Sequence, residues 1–172
     1  MEDSRKELAS EIADFKMPDF EHIPAVGLYL EQTVTFLNEY LAPLNGTQLT
    51  GSMVSNYVKK HLISSPVRKL YSRDQIAYLF FIAVSKTVLP LTDLRLLVEI
   101  QRRTYATQTA YEYFTEELEN ALHYVFGLKD RLDNPGHDDT EEKRMLDSII
   151  LAAAYKVYLD KYFVLLHGES GN

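Results

Sequence analysis

The sequence predicts an all-α fold, and three observations support this prediction. Apolar residues recur at spacings of three and four over most of the 172 residues, which is typical of amphipathic helices. Clusters of Pro, Gly and Asn divide the chain into helix-length segments. No stretch of useful length alternates apolar and polar residues as a half-buried strand does. We expect a single domain over residues 1–172, with a core at 20–103 and a C-terminal extension at 104–172.

The N-terminal part of the chain predicts two helices. Residues 4–15 form a short amphipathic helix, for which Ser4 is the candidate cap. Pro18 and Pro24 then interrupt the pattern, because the residue before a proline is driven toward an extended conformation. The run from Val26 to Leu41 predicts a second helix with a broad apolar face.

Two further helices follow, each behind a capping residue. Thr50 is a candidate N-cap for a helix from about Gly51 to Lys60. Ser72 is a candidate N-cap for the next helix, which is apolar almost all round up to Pro90. A helix of that kind must be covered on every side, so we expect it to lie at the centre of the core.

Three more helices are predicted toward the C-terminus. Thr92 is the candidate cap of a helix ending near Arg103, and another helix covers residues 107–127. The last helix covers residues 140–167. Because a Pro- and Gly-containing loop joins the last two helices, we expect them to pack as an antiparallel hairpin.

The charge of the chain is unevenly distributed. The net charge is −7, but residues 47–103 carry nine Lys and Arg against three Asp and Glu. A basic segment between acidic ends can form a phosphate-facing patch within an acidic protein. The alternative is that the basic segment docks against the acidic segments of the same chain.

Composition narrows the classes of function. No cysteine is present, which excludes disulfides, thiolate metal sites and a cysteine nucleophile and fits a reducing cytoplasm. The apolar window at 149–166 contains Lys156, Asp160 and Lys161, so we do not expect a membrane span. Neither a Gly-rich phosphate loop nor a hydrolase or metalloprotease motif occurs. We therefore expect neither an enzyme nor a cofactor.

The basic segment contains a candidate surface for double-stranded DNA. Base edges are read by short polar side chains on a helix, and phosphates by basic groups nearby. We assign the first role to Ser52, Ser55 and Asn56. The phosphate-contacting residues are predicted to be Lys59, Lys60, Arg68 and Lys69, with Arg73 at the start of the next helix and Tyr57 and Tyr71 shared between packing and phosphate contact.

This segment resembles the MerR-type winged helix-turn-helix over about residues 49–98. The shared pattern is a tyrosine, two polar residues, a turn, paired aliphatic residues, a proline and a basic wing ending in tyrosine. Its members here are Tyr57, Lys59–Lys60, Leu62–Ile63, Pro66, Arg68–Lys69 and Tyr71, followed by Ser72–Ile76 and Pro90–Leu94. The chain departs from the pattern at Ser55, where the family has arginine, and at His61, where it has glycine. The wing is also shorter.

The arrangement as a whole resembles more closely a bacterial family catalogued as domain of unknown function 1836. The resemblance covers about residues 20–102 and rests on LTGSMVSNYVKKHLI, PVRKLYSRDQIAYLFFI and the preceding VGLYLEQTVTFLNEYL. It implies a bacterial cytoplasmic protein with a MerR-like core and a short wing. It implies no established activity.

Other residue groups permit alternative interpretations. Glu119 and His123 have a spacing that can ligate a metal ion, but a solvated helix face is the favoured explanation of them. The acidic segment that includes His137–Asp139 could attract a cation, but acidic residues before the start of a helix are the favoured explanation. Tyr155, Tyr158 and Tyr162 line one side of the last helix. They either complete the core of the monomer or form a homodimer contact.

The sequence therefore supports a bacterial DNA-binding transcriptional regulator. A dimer would place two recognition helices about 34–36 Å apart, one turn of DNA. The alternative is a non-catalytic protein–protein interaction module that kept the fold and lost DNA binding. The amino-acid sequence identifies neither the DNA target site nor a small-molecule effector.

Overall fold

A computed structural model describes residues 2–133 and 139–170 and confirms the all-α prediction. Within these ranges the structure contains helices, two isolated β-bridges and no strand. A 3-10 turn at Phe20–His22 lies between the first two α-helices. The α-helices are α1 (Glu2–Ile12), α2 (Leu30–Leu41), α3 (Gly51–Lys59), α4 (Arg73–Ser85), α5 (Leu91–Thr104), α6 (Thr107–Val125) and α7 (Glu141–Ser170).

Helix α4 forms the centre of the core, as its uniformly apolar sequence predicts. Every residue from Gln75 to Ser85 is buried. Phe80 contacts α2 through an edge-on ring of Tyr40, at a centroid distance of 6.1 Å. Phe81 meets Phe114 of α6 edge to face at 5.3 Å. Such tilted aromatic pairs add about 0.5–1.5 kcal/mol each beyond their buried area.

The caps of the helices agree with the sequence at two positions and differ at two. Ser4 does not cap the first helix, because α1 begins at Glu2 and ends at Ile12. The Thr50 side chain accepts a hydrogen bond from the Met53 N–H, and the Ser72 side chain accepts one from the Gln75 N–H. The prediction that Thr92 caps α5 is wrong, since that helix already begins at Leu91. Pro90 precedes it and lacks only an N–H group that a helix start leaves unpaired.

Helix α2 begins four residues later than its apolar pattern predicts. Gly27 has a φ of +81°, and Leu28 is held in an extended conformation by Tyr71. The Leu28 N–H donates to the Tyr71 carbonyl at 3.0 Å, and the Tyr71 N–H donates to the Leu28 carbonyl at 2.8 Å. The tertiary pairing therefore overrides the local helical periodicity.

The antiparallel hairpin predicted for the last two helices is wrong, because α6 and α7 run parallel. Tyr113, early in α6, donates a hydrogen bond to Asp147, early in α7. Phe126, just after α6, packs edge-on against Tyr158 further along α7, at 5.2 Å. Contacts therefore advance in the same direction along both helices.

The connection between α6 and α7 explains the parallel arrangement. Residues 126–140 separate the two helices, which is longer than the connection that an antiparallel hairpin needs. The chain turns back at Gly127 and returns along α6. There the Asn120 side chain donates to the Asp133 carbonyl at 2.8 Å and accepts from the Asp133 N–H at 3.2 Å. Helix α7 thus starts beside the first half of α6.

Helix α7 is 30 residues long, or about 45 Å. Its inner face completes the core with Ile150, Ala153 and Val157. Over residues 2–133 and 139–170, no helix combines the length and the apolar character that crossing a membrane requires.

Candidate nucleic-acid interface

Helix α3 presents a polar face to solvent. Ser52, Ser55, Asn56 and Lys59 are all exposed. Their spacings of three and four place them on the same side of the helix, opposite the buried Val54 and Tyr57. We call these four exposed residues the α3 face. The structure therefore brings together the predicted base-reading residues and one predicted phosphate-binding lysine.

Helix α3 is held in place by polar contacts as well as by its buried side. The Asn38 amide of α2 donates to the Leu49 carbonyl and accepts from the Leu49 N–H, both at 2.8 Å. These two hydrogen bonds fix the backbone at Leu49, one residue before the Thr50 cap. The N-terminal end of α3 is therefore fixed against α2, as a rigid recognition element requires.

The C-terminal end of α3 is closed by a residue in the left-handed region. His61 has a φ of +61°. The Leu62 N–H donates to the Tyr57 carbonyl at 2.9 Å, and the His61 N–H donates to the Val58 carbonyl at 3.0 Å. This pair of bonds is the Schellman arrangement, in which the left-handed position is usually occupied by glycine.

Residues Val67–Leu70 form a tight turn, which we call the basic turn. Val67 and Leu70 exchange backbone hydrogen bonds at 3.2 and 2.9 Å. Arg68 and Lys69 have φ angles of +51° and +66°, as in a type I′ turn, where Asn-Gly is the preferred pair. Two long basic residues in this conformation cost roughly 1–2 kcal/mol each. Strain of this kind concentrates at functional sites.

The basic turn is anchored on both sides. The Leu28–Tyr71 pairing fixes its C-terminal side, immediately before α4. On the N-terminal side, the buried Gln75 amide donates to the Ser64 carbonyl at 2.8 Å and to the Ser64 hydroxyl at 3.0 Å. The same amide group approaches the Ser65 carbonyl at 3.3 Å. A rigid scaffold therefore projects Arg68 and Lys69 into solvent.

The predicted phosphate-binding cations are exposed and, within the described residues, have no acidic partner. Lys59, Lys60, Arg68 and Lys69 are all exposed, and no Asp or Glu of the described residues forms an ion pair with any of them. These four residues therefore do not dock against the acidic segments of the same chain, which was the alternative to a phosphate-facing patch.

Arg73 is different, and its predicted DNA contact needs correction. Its guanidinium donates to the Ile23 carbonyl at 2.7 Å and to the Glu21 carboxylate at 3.2 Å. It also lies over the Phe20 ring at 5.5 Å. Because these groups already occupy its donors, Arg73 ties the segment before α2 to α4 rather than facing a phosphate.

The two predicted tyrosines also need correction. Tyr57 and Tyr71 are each only 4% exposed and belong to the core. Burial raises the pKa of both phenols. Their rings support α3 and the basic turn from inside, so the packing part of their predicted role stands and the phosphate contact does not.

One residue beside the α3 face was missed in the sequence. A shallow groove separates α2 from α3, and Glu31 lines it together with Ser52 and Ser55. A carboxylate there repels phosphate and can accept from a cytosine amino group. The position of Glu31 within α2 does not indicate that it lies beside α3, because the packing of α2 on α3 is a tertiary feature.

The candidate metal ligands are not brought together. Glu119 accepts from the Lys16 ammonium at 2.9 Å and from the Met17 N–H at 3.2 Å, while the His123 Nε2 is buried without a partner among the described residues. No group of potential ligands fit to hold a metal ion occurs in the part of the chain that is described. His137 and Asp138 lie outside that part.

A buried polar cluster between α6 and α7 was also missed. Glu117 is 4% exposed. Burial and the nearby Asp147 carboxylate raise its pKa to about 7. Lys143 lies 3.7 Å from Asp147, and Tyr113 donates to Asp147 at 2.5 Å. These four residues link the start of α7 to the middle of α6.

Comparison with known proteins identifies the family of the chain. A family described as "Domain of unknown function (DUF1836)" matches residues 18–114. The chain belongs to this family. The match covers the segment from the 3-10 turn to the first half of α6, and so includes the α3 face and the basic turn. It makes no statement about a MerR-type core.

No curated protein and no solved structure shows significant similarity to the chain.

Proposed function

We propose that this member of the DUF1836 family is a bacterial, cytoplasmic DNA-binding protein with a MerR-like helix-turn-helix, acting in transcription regulation. The observation that carries the proposal is the strained basic turn, which holds Arg68 and Lys69 in left-handed conformations at an exposed tip. Strained conformations of this kind concentrate at functional sites, and two exposed cations at one tip suit a polyanion.

In the proposed complex, α3 enters the major groove of DNA. The hydroxyls of Ser52 and Ser55 and the amide of Asn56 face base edges, and Asn56 can pair with adenine in bidentate fashion. Lys59 and Lys60 contact phosphates beside the groove. Arg68 and Lys69 contact the phosphate backbone as a short wing.

Two local features support the MerR-like description. His61 occupies the position at which the MerR pattern has glycine, and it has the positive φ that glycine would favour. The basic turn follows Pro66 and ends at Tyr71, as the short wing of the pattern does. The described backbone is therefore compatible with the MerR pattern even at His61, where the residue type differs from that pattern.

Glu31 and the surface around it favour a second candidate function. Glu31 borders the α3 face, and the apolar Val26 and Val67 are 85% and 75% exposed. A surface that combines exposed apolar groups with both signs of charge suits a protein partner. The alternative is therefore a non-catalytic interaction module built on the same fold.

A homodimer is part of the leading proposal, and α7 offers a surface for it. Tyr155, Leu159 and Phe163 are 45–54% exposed and, at spacings of four, share one face. This stripe is aromatic at both ends and aliphatic in the middle. In an antiparallel two-fold pair of α7 helices centred on Leu159, Tyr155 of each protomer would pack against Phe163 of the other. The same surface would then be used on both sides, as a two-fold interface requires.

The three predicted interface tyrosines are not equivalent. Tyr158 packs on Phe126, and Tyr162 stacks on Tyr158 at a centroid distance of 6.0 Å, so both are partly covered within the monomer. Of the predicted set, Tyr155 stays in the proposed dimer contact as an exposed residue.

A titration of fluorescent duplex DNA at two salt concentrations tests the proposal. The matched variants are Lys59→Ala/Lys60→Ala, which loses two unpaired cations, and Arg144→Ala/Lys156→Ala, which loses two cations that form ion pairs elsewhere. Both remove the same charge. Only the first should weaken binding, and it should reduce the slope of log affinity against log salt by about two for each bound protomer.

Equal effects of the two variants would show that DNA responds to net charge alone, which contradicts a defined interface. Lack of binding at low salt would favour the interaction module.

A further inference from the structure

A cavity lies between α5, α6 and the start of α7, away from the α3 face and the basic turn. Its volume is about 150 Å³. The wall is largely apolar and includes Leu97, Ile100, Ala110, Tyr113, Met145 and Leu146. A cavity of this size holds a molecule of about the size of benzene.

The wall of this cavity contains an amide without a protein partner. Gln101 is 7% exposed and lines the cavity. None of the side-chain hydrogen bonds among residues 2–133 and 139–170 involves Gln101, whereas its backbone carbonyl accepts from the Tyr105 N–H at 3.0 Å. The amide atoms are not fully enclosed, so water can pair with them when the cavity is empty. A ligand that replaces this water with a hydrogen bond of its own therefore binds better than one that leaves the amide unpaired.

We propose that the cavity binds a small, uncharged aromatic molecule that carries one hydroxyl group, such as a simple phenol. The apolar wall takes the ring, and the Gln101 amide pairs with the hydroxyl group. A charged molecule is disfavoured by its own desolvation. Lys143, which is buried in the cavity wall, is already engaged with Asp147 at 3.7 Å and lies over the Tyr113 ring, and Glu142 in the same wall repels an anion.

The same helix connects the cavity to the proposed DNA-binding surface. Arg102, the residue after Gln101, donates to the Leu62 carbonyl at 3.2 Å and lies over the Tyr78 ring at 4.9 Å. Leu62 belongs to the chain between α3 and the basic turn. A ligand bound to Gln101 therefore acts one residue from the contact that positions this segment. This regulatory part of the inference depends on the proposed function, whereas the ligand site does not.

Calorimetric titration of the full-length protein with phenol and with toluene tests the site. Phenol should bind saturably, with a dissociation constant on the order of 0.1–1 mM for a ligand of this size. Toluene has the same shape without the hydroxyl group. Gln101→Met should weaken phenol binding about tenfold and leave toluene binding unchanged or stronger.

Two tryptophan substitutions on α6 separate the cavity from general effects on the helix. Thr109 lines the cavity and Thr115 does not; Thr109 is exposed and Thr115 is partly exposed. Thr109→Trp should abolish binding of both probes by filling the cavity, and Thr115→Trp should leave binding intact. Absence of saturable phenol binding to the wild-type protein, or equal loss in the two variants, would overturn the site.

Titration of duplex DNA with and without saturating phenol tests the regulatory part. A change of DNA affinity that Gln101→Met removes supports it, and an unchanged affinity overturns it while the ligand site stands. If DNA does not bind in either condition, the proposed function fails, and calorimetry still decides the ligand site.

Discussion

Leu28 and Tyr71 exchange two backbone hydrogen bonds, although they lie 43 positions apart in the chain. The pairing joins the segment before α2 to the end of the basic turn. Arg68 and Lys69 form the two-residue loop between Val67 and Leu70, and the Leu28–Tyr71 pairing follows directly, before α4. The stability of this pairing therefore determines how rigidly the two cations are presented.

Gly27→Ala should destabilise the protein by about 1–3 kcal/mol. A Cβ atom at this position would lie 2.9 Å from the Tyr71 carbonyl oxygen, and the φ of +81° disfavours any other residue. Urea unfolding measures the effect. Gly168→Ala is the matched control, because a Cβ there meets no atom within 4 Å, and it should be neutral or slightly stabilising. Equal free energies for the two variants would contradict the role of the pairing.

Replacing the basic turn by its preferred sequence should separate stability from DNA binding. Arg68→Asn/Lys69→Gly relieves two left-handed conformations and should raise the free energy of unfolding by about 1–3 kcal/mol in total. The same change removes two phosphate contacts and should weaken DNA binding. Chemical denaturation and DNA titration on one preparation measure both. A variant that is no more stable than the wild type would show that the turn is not strained.

Glu117→Gln should remove a pH dependence of stability. Burial and Asp147 raise the pKa of Glu117 from 4.5 to about 7, so the folded state binds its proton more tightly than the unfolded state does. The stabilisation from this proton is complete below about pH 4.5 and disappears as the pH rises toward 7. The variant mimics the protonated form and should be more stable than the wild type at pH 8, by about 1–3 kcal/mol.

At pH 5 the difference between the Glu117→Gln variant and the wild type should be small. Unfolding curves at the two pH values check this. A constant difference across the range would mean that Glu117 does not titrate there.

Leu159→Asp should convert a homodimer into a monomer by placing a charge at the centre of the α7 stripe. Sedimentation over micromolar concentrations measures the mass. Leu96→Asp changes another exposed leucine, on α5, and should leave the mass unchanged. A wild-type protein that sediments as a monomer throughout would remove the dimer from the proposal.

Much of the helical architecture could be predicted from the sequence because it depends on local signals. Thr50 and Ser72 cap their helices, and the uniformly apolar α4 is the central helix. The late start of α2 depends on Tyr71, which is distant in sequence, and local periodicity carries no information about that pairing. The direction of α7 was mispredicted because its Pro- and Gly-containing connection was interpreted as a hairpin loop, although its length also permits a return along α6.

The candidate site was predictable in part for the same reason. Helical spacing alone places Ser52, Ser55, Asn56 and Lys59 on one face. The positive φ angles of Arg68 and Lys69 have no sequence signature, since neither residue is typical of a type I′ turn. Arg73 looked like a free cation because its partners, Glu21 and Ile23, are about 50 residues away.

The central claim is that four exposed cations, Lys59, Lys60, Arg68 and Lys69, bind the phosphates of DNA. The most direct measurement is the affinity of the wild-type protein for a duplex between 50 and 200 mM salt. If all four residues of one protomer contact phosphates, the affinity should fall about a hundredfold over this range, and about ten-thousandfold if both protomers of a dimer do so. An affinity that does not change with salt, or no binding at 50 mM, would contradict the claim.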